Sequence, residues 1–221
     1  MPINNLGELN NLAFSCQNII NYQVNKSKQL LTDIFKNLKH NPKNVYSVHR
    51  SWASLYLSQQ GLDVDYSPVA GKRYDTVLAF DEVFTHYKDE QSQKSHIMNT
   101  AGLIETNGIM LSSLRDYRNN NFHRRPLGDT AINNIDGENL ITLEVNALDD
   151  IDKQAWHQFM YVVKNGNEFI NLDCGTRRTL YFKQLAKYCS DAGSKEFGVF
   201  KEMFWKGTWR RVPEHIAWSR F

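Results

Sequence analysis

Apolar residues recur at three- and four-residue steps through residues 6–39. This spacing places them on one face of a helix and predicts helical structure. The apolar positions form two sets, the first being Leu9, Leu12, Ala13, Cys16, Ile19 and Ile20, and the second Leu30, Leu31, Ile34, Phe35 and Leu38. The second set ends at His40-Asn41-Pro42, because a residue that precedes proline is pushed out of the helical region. The sequence therefore predicts a helical cap over residues 1–42.

Short apolar strands alternate with helices beyond Pro42. The clearest strand is predicted at residues 75–80. Further strands are predicted at 44–49, 62–66 and 109–113, with helices at 52–60 and 90–104. The first of these helices is expected to end at Gly61, a typical C-terminal cap. This order of elements is typical of an α/β sheet with parallel strands.

The pattern changes after residue 113. Residues 114–136 are polar and rich in Asn and Arg, which predicts a loop. Strands are then predicted at 140–145, 159–163 and 168–172, a helix at 179–189, and two last strands at 197–204 and 215–221. The dipeptide Asn165-Gly166 predicts a β-hairpin, because both residues tolerate the positive φ of a tight turn. We interpret the chain as one domain, 1–221, with an insertion at 114–176.

Composition narrows the class of protein. The chain is 41% hydrophobic and 23% charged, which is ordinary for a globular domain and excludes a fibrous or disordered class. No apolar run is long enough to cross a bilayer, and residues 1–8 lack the features of a signal peptide. The three cysteines form no C-x-x-C pair and the histidines show no ligand spacing, so no metal site or disulfide framework is predicted. We therefore expect a cytoplasmic protein.

Positive charge is concentrated near the C-terminus. Residues 177–221 contain ten Lys or Arg and four Asp or Glu, whereas the whole chain carries only +2. A basic face with interleaved aromatic residues favours contact with a nucleic acid or an acidic protein. The candidate contact residues are Arg177, Arg178, Arg210 and Arg211. The alternative is a solvated face without a partner.

Several stretches resemble the class I S-adenosylmethionine-dependent methyltransferases. Residues 74–84 (Tyr-Asp-Thr-Val-Leu-Ala-Phe-Asp-Glu-Val-Phe) resemble the fourth strand of that family and the acidic, aromatic loop after it. Residues 107–113 resemble the glycine-led fifth strand, 62–67 the second strand, and 185–193 the helix and turn before the sixth strand. The resemblance covers 45–221 and implies a three-layer, Rossmann-like α/β fold ending in an antiparallel hairpin. The general character is also similar to that of bacteriophage accessory proteins, which would place the chain in a host cytoplasm.

Two departures from the family bear on the cofactor. The family's glycine-rich loop follows its first strand, where this chain has His49-Arg50-Ser51-Trp52-Ala53 without a glycine. We expect bulky side chains there to fill the space that the methionine moiety occupies. Only eight residues separate Tyr66 from Asp75, so the family's third strand is expected to be missing and the sheet truncated.

The resemblance also implies candidate site residues. Asp65, at the end of a strand, would hold the cofactor ribose, or it is a turn residue. His49 and Asp81 would lie at the same sheet edge and contact the cofactor. Glu82 would be a general base, although Asp81 and Glu82 could instead cap the following helix. Arg50 either grips an anion or pairs with Asp81 or Glu82 as a plug in an inactive pocket.

Two functions follow from these features. The first is a catalytically silent methyltransferase-like module that binds no cofactor and contacts a macromolecular partner. The second is an active S-adenosylmethionine-dependent methyltransferase with a divergent pocket. The missing glycine loop and the missing third strand favour the silent module. The acids that remain at the expected positions favour the enzyme.

Overall fold

The structure is a computed structural model that describes residues 17–114, 127–135, 138–148, 155–164, 168–205 and 214–221. In chain order the elements are α1 (Gln17–Leu38), β1 (Asn44–Ser47), α2 (Trp52–Gln59), β2 (Asp63–Asp65), β3 (Tyr74–Ala79), a 3-10 turn (Val83–Thr85), α3 (Glu90–Ala101), β4 (Ile104–Leu114), β5 (Leu127–Ile135), β6 (Glu138–Leu148), β7 (Ala155–Lys164), β8 (Glu168–Arg178), α4 (Phe182–Asp191), β9 (Glu196–Trp205) and β10 (Glu214–Arg220). None of the described helices combines the length and the apolar character that spanning a membrane requires.

The main sheet has six strands in the order β2-β1-β3-β4-β10-β9. The first four are mutually parallel, and β10 is antiparallel to both β4 and β9. Side chains alternate between the two faces of a strand, and β3 accordingly contributes to two cores. Val77 packs with α3 and α4 on one face, whereas Leu78 packs with α1 and α2 on the other. The predicted three-layer α/β fold is therefore confirmed.

The third strand of the family pattern is missing, as the sequence predicted. Strand β2 ends at Asp65 and β3 begins at Tyr74, and the eight residues between them form neither helix nor strand. A connection this short cannot contain a helix, another strand and a second helix. The main sheet consequently ends at the three-residue strand β2.

A second sheet follows β4, with four antiparallel strands in the order β5-β6-β7-β8. The predicted hairpin is present as β7 and β8, which pair from Lys164 opposite Glu168 onwards. The predicted loop is wrong over 127–135, because these residues form β5. Asn, Asp and Gly are depleted in strands, so the sequence of β5 gives a weak strand signal that pairing with β6 overrides.

Asn107 and Gly108 lie inside β4 and do not precede it as the sequence suggested. The register with β3 shifts here, and Asn107 has a left-handed φ of 67°. The backbone of Phe221 pairs with this distorted segment. The Asn107 N–H donates to the Phe221 carbonyl (2.6 Å), and the Phe221 N–H donates to the Gly108 carbonyl (3.0 Å). A β-bulge of this kind re-aims the backbone for such a contact.

The carboxylate of Asp75 ties the start of β1 to β3. Its Oδ2 accepts hydrogen bonds from the backbone N–H groups of Lys43 (2.8 Å) and Asn44 (3.0 Å), and its Oδ1 accepts one from the Thr76 hydroxyl (2.6 Å). Burial alone would raise the pKa of Asp75, but the nearby His40 imidazole and the hydrogen bonds from Thr76 and from the backbone of Asn44 and Lys43 outweigh it and leave the pKa below its usual value.

We expect Asp75→Asn to reduce the amount of stability that the protein loses as the pH falls into the acid range. A carboxyl group with a lowered folded pKa stabilises the fold above its unfolded pKa of about 3.9, and this contribution is lost as pH falls through the folded pKa. Urea unfolding between pH 6 and pH 2.5 should show a smaller acid-induced loss in the variant than in the wild type. Parallel pH profiles for the two proteins would contradict the assignment.

Candidate functional site at the carboxyl edge of the main sheet

The carboxyl ends of β1, β2, β3 and β4 meet at one edge of the main sheet. From β1 the chain passes to β2 on one side, and β3 then lies on the other side of β1. Open α/β sheets bind ligands outside such a switch point. His49 comes two residues after the end of β1, and Asp81 comes two residues after the end of β3. Both candidate residues therefore flank the switch point.

The segment after β1 begins a helix directly. Ser51 is the N-cap of α2: its hydroxyl accepts a hydrogen bond from the Ser54 N–H (3.2 Å), and its own N–H donates to the Ser54 hydroxyl (2.9 Å). This capping box satisfies backbone donors with side chains of the chain itself. Trp52 is 1% exposed and belongs to the core between α1 and the sheet. Arg50 is exposed.

His49 and Asp81 form a close pair. The His49 Nε2 lies 2.9 Å from the Asp81 Oδ2, and the two side chains are 18% and 23% exposed. An ionised carboxylate only accepts hydrogen bonds, so Nε2 carries the proton in this contact. The His49 Nδ1 is buried and has no hydrogen-bond partner among the described residues. His49, which precedes the Arg50 that the sequence analysis considered as a partner of Asp81, makes this contact.

Asp81 and Glu82 both have left-handed backbones, with φ of 56° and 55°. Each such residue other than glycine costs roughly 1–2 kcal/mol. The Glu82 N–H donates to the Ser113 hydroxyl (3.3 Å), and the Glu82 carbonyl accepts from the Thr85 hydroxyl (2.8 Å). These contacts hold the turn between β3 and α3 in its strained form.

The carboxylate of Glu82 is buried against an arginine from the second sheet. The Glu82 Oε2 lies 3.9 Å from the Arg177 Nη1, and the two side chains are 2% and 1% exposed. Removing either charge would leave the other buried without this opposite charge beside it. Glu82 is therefore buried beside an internal cation.

Arg178 makes a second connection between β8 and α3. Its Nη2 lies 3.6 Å from the Glu90 Oε2, and its backbone carbonyl accepts a hydrogen bond from the Gln93 side chain (3.3 Å). Both arginines lie at the end of strand β8. Their burial removes them from the expected exposed basic face. Arg210 and Arg211 lie outside the described residues.

Asp65, the candidate ribose ligand, is engaged by the loop that replaces the third strand. Its Oδ2 accepts hydrogen bonds from the Lys72 ammonium (2.8 Å) and from the Tyr74 hydroxyl (2.9 Å). Lys72 also donates to Asp63 (2.6 Å). The hydrogen bond from Lys72 is the main reason that the pKa of Asp65 lies below its usual value.

The structure thus brings His49 and Asp81 together, and it gives Glu82 and Asp65 separate partners. Lys72 and Arg177 are the residues that sequence reasoning did not connect to the candidate acids. The sequence did contain a local indication of the Lys72–Asp65 contact, because Lys72 follows Asp65 by only seven residues and the turn at Gly71 lies between them. Within the described ranges, no three His, Cys, Asp or Glu residues are grouped in a way that could hold a metal ion.

The residues at this edge do not fit S-adenosylmethionine as the family pattern would require. A capped helix with a tryptophan in the core stands in place of the glycine loop. The oxygen of Asp65 that faces the loop already accepts two hydrogen bonds. A ribose would have to displace a lysine from that carboxylate, which costs the charge-assisted hydrogen bond.

Comparison with known proteins identifies the fold. No protein-family model matches the chain, and no curated protein matches its sequence. Solved methyltransferase structures do match in three dimensions. The chain is similar to DesVI of Streptomyces venezuelae (TM-score 0.66, 8% identity, covering 96% of this chain and 95% of that one). It is also similar to an amino pentose methyltransferase, CalS10 of Micromonospora echinaspora (0.66, 6%, 90% and 92%), and to an S-adenosylmethionine-dependent methyltransferase of Clostridium acetobutylicum (0.62, 8%, 89% and 91%).

The match extends beyond the main sheet. The share of this chain that DesVI leaves uncovered is 4% of 221 residues, or about nine residues. The second sheet spans 127–178, so most of it lies within the matched part. The truncated main sheet and the antiparallel second sheet are therefore both compatible with one known architecture. The chain has the class I S-adenosylmethionine-dependent methyltransferase-like fold.

Proposed function

We propose that this chain is a catalytically silent, methyltransferase-like binding module that does not use S-adenosylmethionine. One observation carries the proposal: each candidate acid at the carboxyl edge is held by a basic side chain of the same molecule. Lys72 holds Asp65, His49 holds Asp81, and Arg177 holds Glu82. Residues that would serve a cofactor are thus satisfied internally.

Electrostatics explains why these contacts oppose cofactor binding. At Asp65, ligand hydroxyl groups would compete with the Lys72 ammonium, which forms a stronger hydrogen bond to a carboxylate than neutral donors do. Opening the Glu82–Arg177 contact would also leave two charges buried apart. The burial of Trp52 supports the same proposal, because its indole is part of the core and is not free to move aside.

The silent module would act by contacting a macromolecular partner, a protein or a nucleic acid. Arg177 and Arg178 lie against Glu82 and Glu90, so Arg210 and Arg211 are the contact residues that remain candidates from the sequence. A cytoplasmic and phage-encoded setting remains a prediction from the sequence.

A specific observation favours the second candidate, an active methyltransferase with a divergent pocket. Because Asp81 accepts the Nε2 proton of His49, the neutral imidazole presents its Nδ1 lone pair, which has no partner among the described residues. Nδ1 is buried in the structure, so receiving a proton there would require the methyl acceptor to expose this atom when it binds. In this alternative the base is His49, since Glu82 is buried against Arg177.

Calorimetric titration with S-adenosylmethionine and S-adenosylhomocysteine tests the proposal. We expect no detectable heat with the folded wild type at millimolar ligand. A micromolar dissociation constant, about −8 kcal/mol, would overturn the silent module and favour the enzyme. The variant Lys72→Met frees Asp65, and Lys187→Met is the matched control because it removes an exposed lysine paired with Asp191 far along the chain. Binding by Lys72→Met alone would show that the internal lysine closes the site.

A further inference from the structure

The helical layer formed by α1 and α2 has an unbalanced charge. Both helices pack on the same face of the main sheet, in the cluster that contains Leu31 and Trp52. Residues 17–43, which comprise α1 and the turn after it, contain five lysines and one acidic residue, Asp33. Helix α2 contains no charged residue at all. The two helices therefore lack the acidic residues that would balance these lysines.

Four of the lysines are exposed at or near one side of α1. Lys28, Thr32 and Lys36 follow each other at four-residue steps, which places them in one row on the helix surface. Lys39 and Lys43 follow directly after the helix, and all four lysines are exposed. Within the part of the chain that the structure describes, none of the four ammonium groups forms an ion pair. We call these four lysines the lysine patch.

Lysines of the opposite helical layer do have acidic partners. Lys94 of α3 and Lys187 of α4 both contact the Asp191 carboxylate, at 3.2 and 3.0 Å. Such pairing balances the charge within the molecule. The lysine patch instead presents its charge to solvent, and a surface of one sign attracts partners of the opposite sign.

We propose that the lysine patch binds the phosphate backbone of a nucleic acid. This inference rests on the proposed binding function and names its partner. Lys28 and Lys39 are separated by about 17 Å at the helical rise of about 1.5 Å per residue. Each strand of a duplex presents about five phosphates over that length, at about 3.4 Å per nucleotide. Lysine binds phosphate as a point charge and such contacts carry no sequence information, so the binding would not depend on base sequence.

Two other anionic partners fit this surface less well. A basic amphipathic helix binds a membrane through its apolar face, but the apolar face of α1 is already in the core, where Leu31 and Ile34 are fully buried. Protein interfaces are enriched in aromatic residues and arginine and depleted of lysine. The exposed residues of 24–43 are all Asn, Gln, Thr, Asp or Lys. A nucleic acid is therefore the partner whose chemistry this surface matches.

Fluorescence anisotropy with two labelled probes, a DNA duplex and a single-stranded RNA, tests the proposal. Four phosphate contacts predict that raising the salt concentration from about 50 to about 200 mM weakens duplex binding about 100-fold, because log K falls by about 0.9 per contact for each tenfold rise in salt. Lys28→Gln/Lys36→Gln removes two contacts. Its binding should be weaker at low salt, and the same rise in salt should weaken it further by only about tenfold.

Two further double variants control for net charge and for the side chain itself. Lys183→Gln/Lys187→Gln removes the same charge from exposed lysines of α4, in the opposite layer, and should keep the salt dependence of the wild type. Lys28→Arg/Lys36→Arg keeps the charge and should bind as the wild type does. Circular dichroism verifies that each variant is folded before its binding is measured.

Binding of either probe with this dependence on Lys28 and Lys36 supports the proposal, and the tighter probe identifies the kind of nucleic acid. The proposal is overturned if neither probe binds at low salt, or if the two glutamine variants lose affinity equally. Lysine-dependent binding of polyglutamate or of anionic vesicles, without binding of either nucleic acid, would overturn it in favour of a protein or a membrane. Titration with S-adenosylmethionine tests the silent module separately, so a protein that binds both the cofactor and the duplex would refute only the silence.

Discussion

Arg177→Met is expected to lower the free energy of unfolding by about 3–5 kcal/mol, because it removes the buried cation that lies beside the buried Glu82 carboxylate. Both side chains are almost fully buried, and their charged atoms are 3.9 Å apart. The loss should be visible as a lower urea midpoint, measured by circular dichroism at neutral pH. The same variant should loosen the attachment of β8 to the turn after β3.

A double-mutant cycle isolates the contact. Arg177→Met leaves the Glu82 charge buried without the arginine, and Glu82→Met removes that charge. The double variant should therefore lose less free energy of unfolding than the two single variants lose together. Lys187→Met, which removes an exposed pair with Asp191, should change stability little. If Arg177→Met unfolds at the same urea concentration as the wild type, the buried contact is not formed in solution.

Much of the main sheet could be predicted from the sequence because its signals are local. The strand around Val77 is a short apolar run, and the Gly61 that the sequence placed at the end of the helix Trp52–Gln59 has a left-handed φ of 81°. The eight-residue gap after Tyr66 was enough to exclude a third strand, since chain length limits what a connection can hold. Strand β5 was missed because its stability comes from pairing with β6 and its own propensity is weak.

The candidate site was less predictable because its contacts join distant parts of the chain. Residue type and position identified His49 and Asp81 as candidates, but their pairing depends on β1 and β3 being neighbours. The partner of Glu82 comes from the far end of the second sheet, a region whose packing no local pattern reveals. The arginines at 177 and 178 resembled a surface charge cluster in sequence, and only the fold shows that both are buried.

Trp52→Ala is expected to lower the free energy of unfolding by about 3–5 kcal/mol, the usual cost of removing a large aromatic side chain from a core. The indole is 1% exposed and packs in the cluster that includes Leu31 and Ile34 of α1. Arg50→Ala is the matched control, because Arg50 is two residues away and exposed. Urea unfolding of the two variants should therefore give a large loss for the first and little change for the second.

The same pair of variants separates two roles for Trp52. The sequence predicted that bulky residues here fill the space of the methionine moiety, and the structure places Trp52 in the core on the α1 side of the sheet. A tryptophan that only blocked a cofactor pocket would leave stability nearly unchanged on removal, and the variant would gain affinity for S-adenosylmethionine. A core tryptophan gives the opposite result, a large loss of stability without cofactor binding. Calorimetric titration of Trp52→Ala, at a temperature where the variant remains folded, distinguishes these two roles. A gain of affinity for S-adenosylmethionine would show that a single side chain closes the silent pocket.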